Sequence, residues 1–93
     1  MVRRVRMILS GKVQGVFFRN FAKQNANKLG IVGYAKNIGD GKMEILAEGE
    51  ERKIEEFVKL CKKGPMMAHV TSLDMTEETV VPDEHEYFDI RYM

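Results

Sequence analysis

The chain has 93 residues, 44% of them hydrophobic and 31% charged, with a formal net charge of +1. That is material for one domain with one small core, expected over residues 1–93, and the near-neutral charge provides no global basic field to draw in nucleic acid or a membrane. A single cysteine, Cys61, excludes an intrachain disulfide and a cysteine metal cage; no apolar run approaches the roughly 20 residues of a spanning helix, and the start MVRRVRMILSG lacks a signal-peptide apolar region, so a cytoplasmic protein is expected.

In chain order, Val2 to Ser10 comes first. Val5, Met7 and Leu9 share one face, with Arg4, Arg6 and Ile8 on the other, the pattern of a strand with one core face. The glycine loop GKVQGVFFRN at 11–20 follows. Phe18, Phe21, Ala22, Ala26 and Leu29 then recur at helical spacing, and Gly30 is the natural stop. IVGYAKNI at 31–38 reads as a second strand. GDGK at 39–42 is its turn, because Asp-Gly tolerates the positive φ a hairpin needs, and KMEILAEG at 42–49 is a third strand.

Glu50 to Lys63 predicts a second helix, with Ile54, Phe57, Val58 and Cys61 as its apolar stripe. Its acidic start and basic end suit the helix dipole, and Gly64-Pro65 ends it. His69 to Thr79 reads as a fourth strand, bulged because Val70 and Leu73 differ in parity. VVPDEHE is a loop and YFDIRY at 87–92 a short last strand.

The order βαββαβ plus a short strand predicts an α+β, ferredoxin-like sandwich: an antiparallel sheet of order 4-1-3-2, a short fifth strand at an edge, and two helices on one face. Strands 1 and 2, joined by a helix, run parallel, and strand 3 returns between them. The ends of strands 1 and 2 then lie two strand spacings apart, roughly 10 Å. One end carries the glycine loop and Arg19; the other carries Asn37.

Gly11 and Gly15 let the backbone curl, and Arg19 begins a helix. Backbone N–H groups in such a loop, a helix N-terminus and a guanidinium fork together suit an oxyanion or a phosphate. The stretch is neither a Walker loop nor GxGxxG. On spacing alone it reads either as an anion cradle or as a strand-to-helix turn with a surface arginine. Asn37 alone reads either as a turn former or as a water ligand.

GKVQGVFFR resembles the acylphosphatase motif of a glycine, VQGV and a phenylalanine-arginine pair. GYAKN at 33–37, AEG at 47–49, and Gly64-Pro65 with Ala68 and Val70 resemble later blocks of that family, across nearly the whole chain. The family often has tryptophan where this chain has Tyr34, a change expected to affect packing more than chemistry. The resemblance implies hydrolysis of acyl phosphates to a carboxylate and inorganic phosphate, without cofactor or metal. Carried over by position, Arg19 and the backbone amides of Gln14, Gly15, Val16, Phe17, Phe18 and Arg19 hold the phosphoryl group, and Asn37 holds the attacking water. The expected partner is a small acyl phosphate, with no nucleic acid or membrane, and the expected state is a monomer.

Other residues read more plainly. Cys61, on an apolar stripe, is expected in the core. Phe18 and Phe21 are expected there too, while Phe17 reads equally as a wall of the site's mouth. His69 and His85 lack ligand spacing, so neither metal binding nor catalysis is expected of them. Lys12, Lys36 and Lys42 read as ordinary solvated charges, with help in attracting an anionic substrate as the alternative. Two alternatives come from other classes. RNA binding on a ferredoxin-like sheet has only Arg3, Arg4 and Arg6 in its favour, and no aromatic on strand 3. A domain that binds an acyl or carbamoyl phosphate inside a larger enzyme is the other, and the chain's end at residue 93 favours the stand-alone enzyme over it.

Overall fold

Val5, Met7 and Leu9 are fully buried, so the alternation at the N-terminus does build one core face. The computed structural model describes residues 1–92; Met93, the last residue of the domain expected over 1–93, lies outside them. Strand β1 is Val2–Lys12 and helix α1 is Phe18–Leu29, with Phe18, Ala22 and Ala26 buried. Phe21, expected in the core, is half-buried and meets Phe18 edge to face at 5.7 Å. Strand β2 is Val32–Asn37. It starts one residue inside the expected span because Ile31 closes α1, its N–H donating to the Ala26 carbonyl at 2.8 Å.

A short 3₁₀ turn, Gly39–Gly41, joins β2 to β3, Met43–Glu50, and Asp40 adopts the left-handed backbone (φ 61°) that Asp-Gly predicts. Helix α2 is Glu51–Lys63. Glu50 caps it rather than entering it, accepting from the N–H groups of Arg52 and Lys53 at 3.1 and 3.3 Å. Ile54, Phe57 and Cys61 are buried, and burial pushes the Cys61 thiol up, leaving it a neutral core side chain. Strands β4, His69–Glu78, and β5, Phe88–Arg91, complete the chain.

The sheet order is β4-β1-β3-β2-β5, the expected 4-1-3-2 with the fifth strand at an edge. It is mixed rather than wholly antiparallel, because β5 pairs with β2 in parallel. The expected bulge is present: Ser10 pairs with Ser72 and Gly11 with Val70, which makes Thr71 the extra residue. Gly11 therefore belongs to the sheet rather than to the curl of the loop. A Cβ there would stand 2.1 Å from the His69 carbonyl oxygen, on a backbone at φ +113°. Met43 pairs with Leu9 on one side and Asn37 on the other, so the ends of β1 and β2 meet across β3.

The sheet face away from the buried Val5, Met7 and Leu9 is ionic. There Arg4 pairs with Glu48, Glu78 and Glu84, and Arg6 pairs with Glu44 and Glu78, while Arg3, on the same face as Val5, donates to Glu77. The arginines behind the RNA-binding alternative thus face glutamates rather than forming a free basic surface. The Arg4 guanidinium, hydrogen-bonded to Glu84, holds that carboxyl below its ordinary value of 4.5. This pairing contributes stability above the ordinary carboxylate range and loses it as pH falls through the lowered value. Wild-type protein should therefore lose thermal stability below about pH 4.5, and Glu84→Gln should flatten part of that fall. Circular-dichroism melts with the same slope for both proteins would contradict this.

Candidate active site

Five residues, 13 to 17, carry the chain from β1 to α1. Buried Val13 and Val16 pin this loop to the core, and Gly15, with φ +73° and open space where a Cβ would lie, lets it reverse. The residue before α1 is normally Ser, Thr, Asp or Asn, whose side chain satisfies the helix's free N–H groups. Here it is Phe17, left-handed at φ 60° and 80% exposed, and among the described residues no side chain caps the helix. No acidic residue stands in the first turn. Among the described residues, no backbone hydrogen bond outside helices and strands is donated by Gln14 to Asn20. The start of α1 is thus a set of donors carrying partial positive charge without an internal partner.

Gln14 contributes more than its backbone. Its side-chain amide donates to the carbonyls of Ile38 at 3.0 Å and Lys42 at 2.8 Å, tying the loop to the turn between β2 and β3. Gln14→Ala removes both bonds from a half-buried site and is expected to cost about 1–3 kcal/mol of stability. A urea-denaturation midpoint equal to wild type would contradict that.

A cavity of about 340 Å³ opens beside this loop. Val13, Gly15 and Phe17 line it from the loop, and Phe18, Arg19 and Asn20 from α1. Asn37 lines it from the end of β2, Met43 from β3, and Ile90 and Tyr92 from the C-terminal segment. The expected residues Gly15, Phe17, Phe18, Arg19 and Asn37 thus share one cavity. Gln14 and Val16 turn their side chains elsewhere, which leaves only their backbones for the expected role. Lys12, Lys36 and Lys42 do not line the cavity. Sequence reading missed Val13, Asn20, Met43, Ile90 and Tyr92.

Arg19 is half-buried and held at one edge. Its Nη1 donates to the Arg91 carbonyl at 3.0 Å, and its guanidinium carbon lies 4.7 Å from the centre of the Tyr92 ring. One of five donors is thereby occupied. Asn37 Oδ1 is buried and, among the described residues, has no hydrogen-bond partner. It is an acceptor left free to meet a ligand or water in the cavity. Among the described residues, no side-chain carboxylate or imidazole lines the cavity.

The acylphosphatase family profile matches residues 5–90. The chain is 36% identical over 90 residues to an acylphosphatase of Methylococcus capsulatus, covering 97% of this chain and 98% of that one. The crystal structure of acylphosphatase from Bacillus subtilis superposes with a TM-score of 0.91 at 40% identity, covering 99% of this chain and all of that one. A segment of full-length HypF, in its phosphate- and nucleotide-bound form, superposes at 0.88 and 30% identity, with 98% of this chain matching 12% of that one. The chain belongs to the acylphosphatase family.

Proposed function

We propose that the chain hydrolyses the carboxyl–phosphate bond of acyl phosphates, with water entering and a carboxylate and inorganic phosphate leaving. The observation that carries this reading is the unpartnered, buried Asn37 Oδ1 in the same cavity as Arg19 and the uncapped start of α1. The backbone N–H groups of Gln14, Gly15, Val16, Phe17, Phe18 and Arg19, with the Arg19 guanidinium, hold the phosphoryl oxygens. Asn37 accepts a hydrogen bond from the attacking water and orients it. A carboxylate leaves readily, so positioning the water and stabilising the equatorial oxygens supply most of the acceleration.

An asparagine is a poor base, and among the described residues the cavity lining offers no side-chain carboxylate or imidazole. The substrate's own phosphoryl group is the proton acceptor in this reading. The rate should then follow substrate ionisation and no protein group titrating near neutrality; a profile set by enzyme pKa values would contradict it. The same reading takes the enzyme as a single domain over residues 1–93, cytoplasmic, monomeric and independent of metal.

The test is hydrolysis of benzoyl phosphate by the purified chain with chelator present. Rapid turnover supports the hydrolase. A second reading, a domain that binds an acyl or carbamoyl phosphate without turning it over, draws on the likeness to a small part of HypF. A folded chain that binds phosphate but releases no benzoate would favour it.

A further inference from the structure

Arg19 is oriented by the far end of the chain. A long arginine side chain loses rotamer freedom when it grips a ligand, and a side chain already held in place loses less. The hold here is the Arg91 carbonyl. Arg91 lies at the end of β5, a four-residue edge strand, so its position depends on what pins that strand.

The pin is on the opposite face of the sheet. The Arg91 guanidinium stacks over the Tyr34 ring, 4.1 Å from its centre. Tyr34 is only 7% exposed. Its hydroxyl donates to Glu44 Oε1 at 3.0 Å and accepts from Arg6 Nη1 at 3.2 Å, and Arg6 pairs in turn with Glu44 and Glu78. The ring is therefore fixed by a charged network and offers a rigid face to a planar cation. Tyr34 does not line the cavity.

We infer that Tyr34 is a positioning residue for Arg19, acting through Arg91: its ring anchors the Arg91 side chain, and the Arg91 carbonyl then holds the Arg19 guanidinium where a phosphoryl group binds. This rests on the reading of Arg19 as a phosphoryl ligand. It also assigns the Tyr34 position more than the packing role expected from its substitution for tryptophan.

The test compares Tyr34→Leu, Tyr34→Phe, Arg91→Gln and the Tyr34→Leu/Arg91→Gln pair with wild type. Readouts are the affinity for inorganic phosphate, KM and kcat for benzoyl phosphate, and the thermal midpoint. Tyr34→Leu should weaken phosphate binding and raise KM by about five- to tenfold. Tyr34→Phe keeps the ring but loses the hydroxyl's bonds to Glu44 and Arg6, so it should fall between wild type and Tyr34→Leu. Arg91→Gln keeps the carbonyl, loses the anchor, and should match Tyr34→Leu. The double variant should be no worse than either single one, because both break one relay.

A folded Tyr34→Leu that binds phosphate within about twofold of wild type would overturn the inference. So would losses that multiply in the double variant, the pattern expected if Arg91 acted only through its charge. Should Tyr34→Leu fail to fold, Arg91→Gln decides alone, and unchanged phosphate affinity overturns the relay. Equal phosphate affinity in wild type and Arg19→Ala is a different result, and it removes the reading of Arg19 itself.

Discussion

Arg19→Ala is expected to lose about a thousandfold in kcat/KM, with KM raised at least about tenfold and kcat also reduced. Both parameters should move because, in the proposed site, the guanidinium contacts the phosphoryl oxygens in the ground state and more strongly in the transition state. The fold should survive. Arg19 is half-buried at the start of α1, and the core below it is made by Phe18, Ala22 and Ala26. Its internal contacts are the Arg91 carbonyl and the Tyr92 ring, so the stability cost should stay within about 1 kcal/mol. Arg19→Lys should recover only part of the loss, because an ammonium restores charge without the planar fork. Initial rates and phosphate inhibition measure all of this. A change in kcat with phosphate affinity intact would contradict the role.

Asn37→Ala is expected to behave differently. Turnover should fall by about a hundredfold to a thousandfold while KM stays within about threefold, because the proposed phosphate cradle keeps Arg19 and the loop amides. Stability should stay within about 1 kcal/mol of wild type, because among the described residues Asn37 Oδ1 accepts no protein hydrogen bond that the substitution would break. A variant that is much slower at nearly unchanged stability would identify Asn37 as a group kept for function. Equal losses of affinity and turnover would contradict the water-holding role.

Periodicity made much of this architecture legible. Val5, Met7 and Leu9 declared a one-sided strand, and Phe18, Ala22 and Ala26 a one-sided helix, and both patterns survive because burial acts on each segment separately. The parallel relation of β1 and β2 followed from the helix between them, and that brought Arg19 toward Asn37. Contacts set by distant pairing were not legible. YFDIRY announces a strand but not its neighbour, and only β5 beside β2 brings Ile90 and Tyr92 to the cavity. Gln14 looked like one amide in a loop because its side-chain partners lie 24 and 28 residues away. Gly11 looked like part of the curl because the backbone it accommodates belongs to β4. The glutamate partners of Arg4 and Arg6 were hidden for the same reason, since they are supplied by β3, β4 and the loop before β5.

The most direct measurement is the fate of the attacking oxygen. Benzoyl phosphate would be hydrolysed by the wild-type chain in ¹⁸O-labelled water and both products weighed by mass spectrometry. A phosphoryl group held by Arg19 and the loop, with water held by Asn37, requires attack at phosphorus. The label should then appear in inorganic phosphate and not in benzoate. Label in benzoate would mean attack at the carbonyl carbon, and it would contradict the placement of both the phosphoryl group and the water.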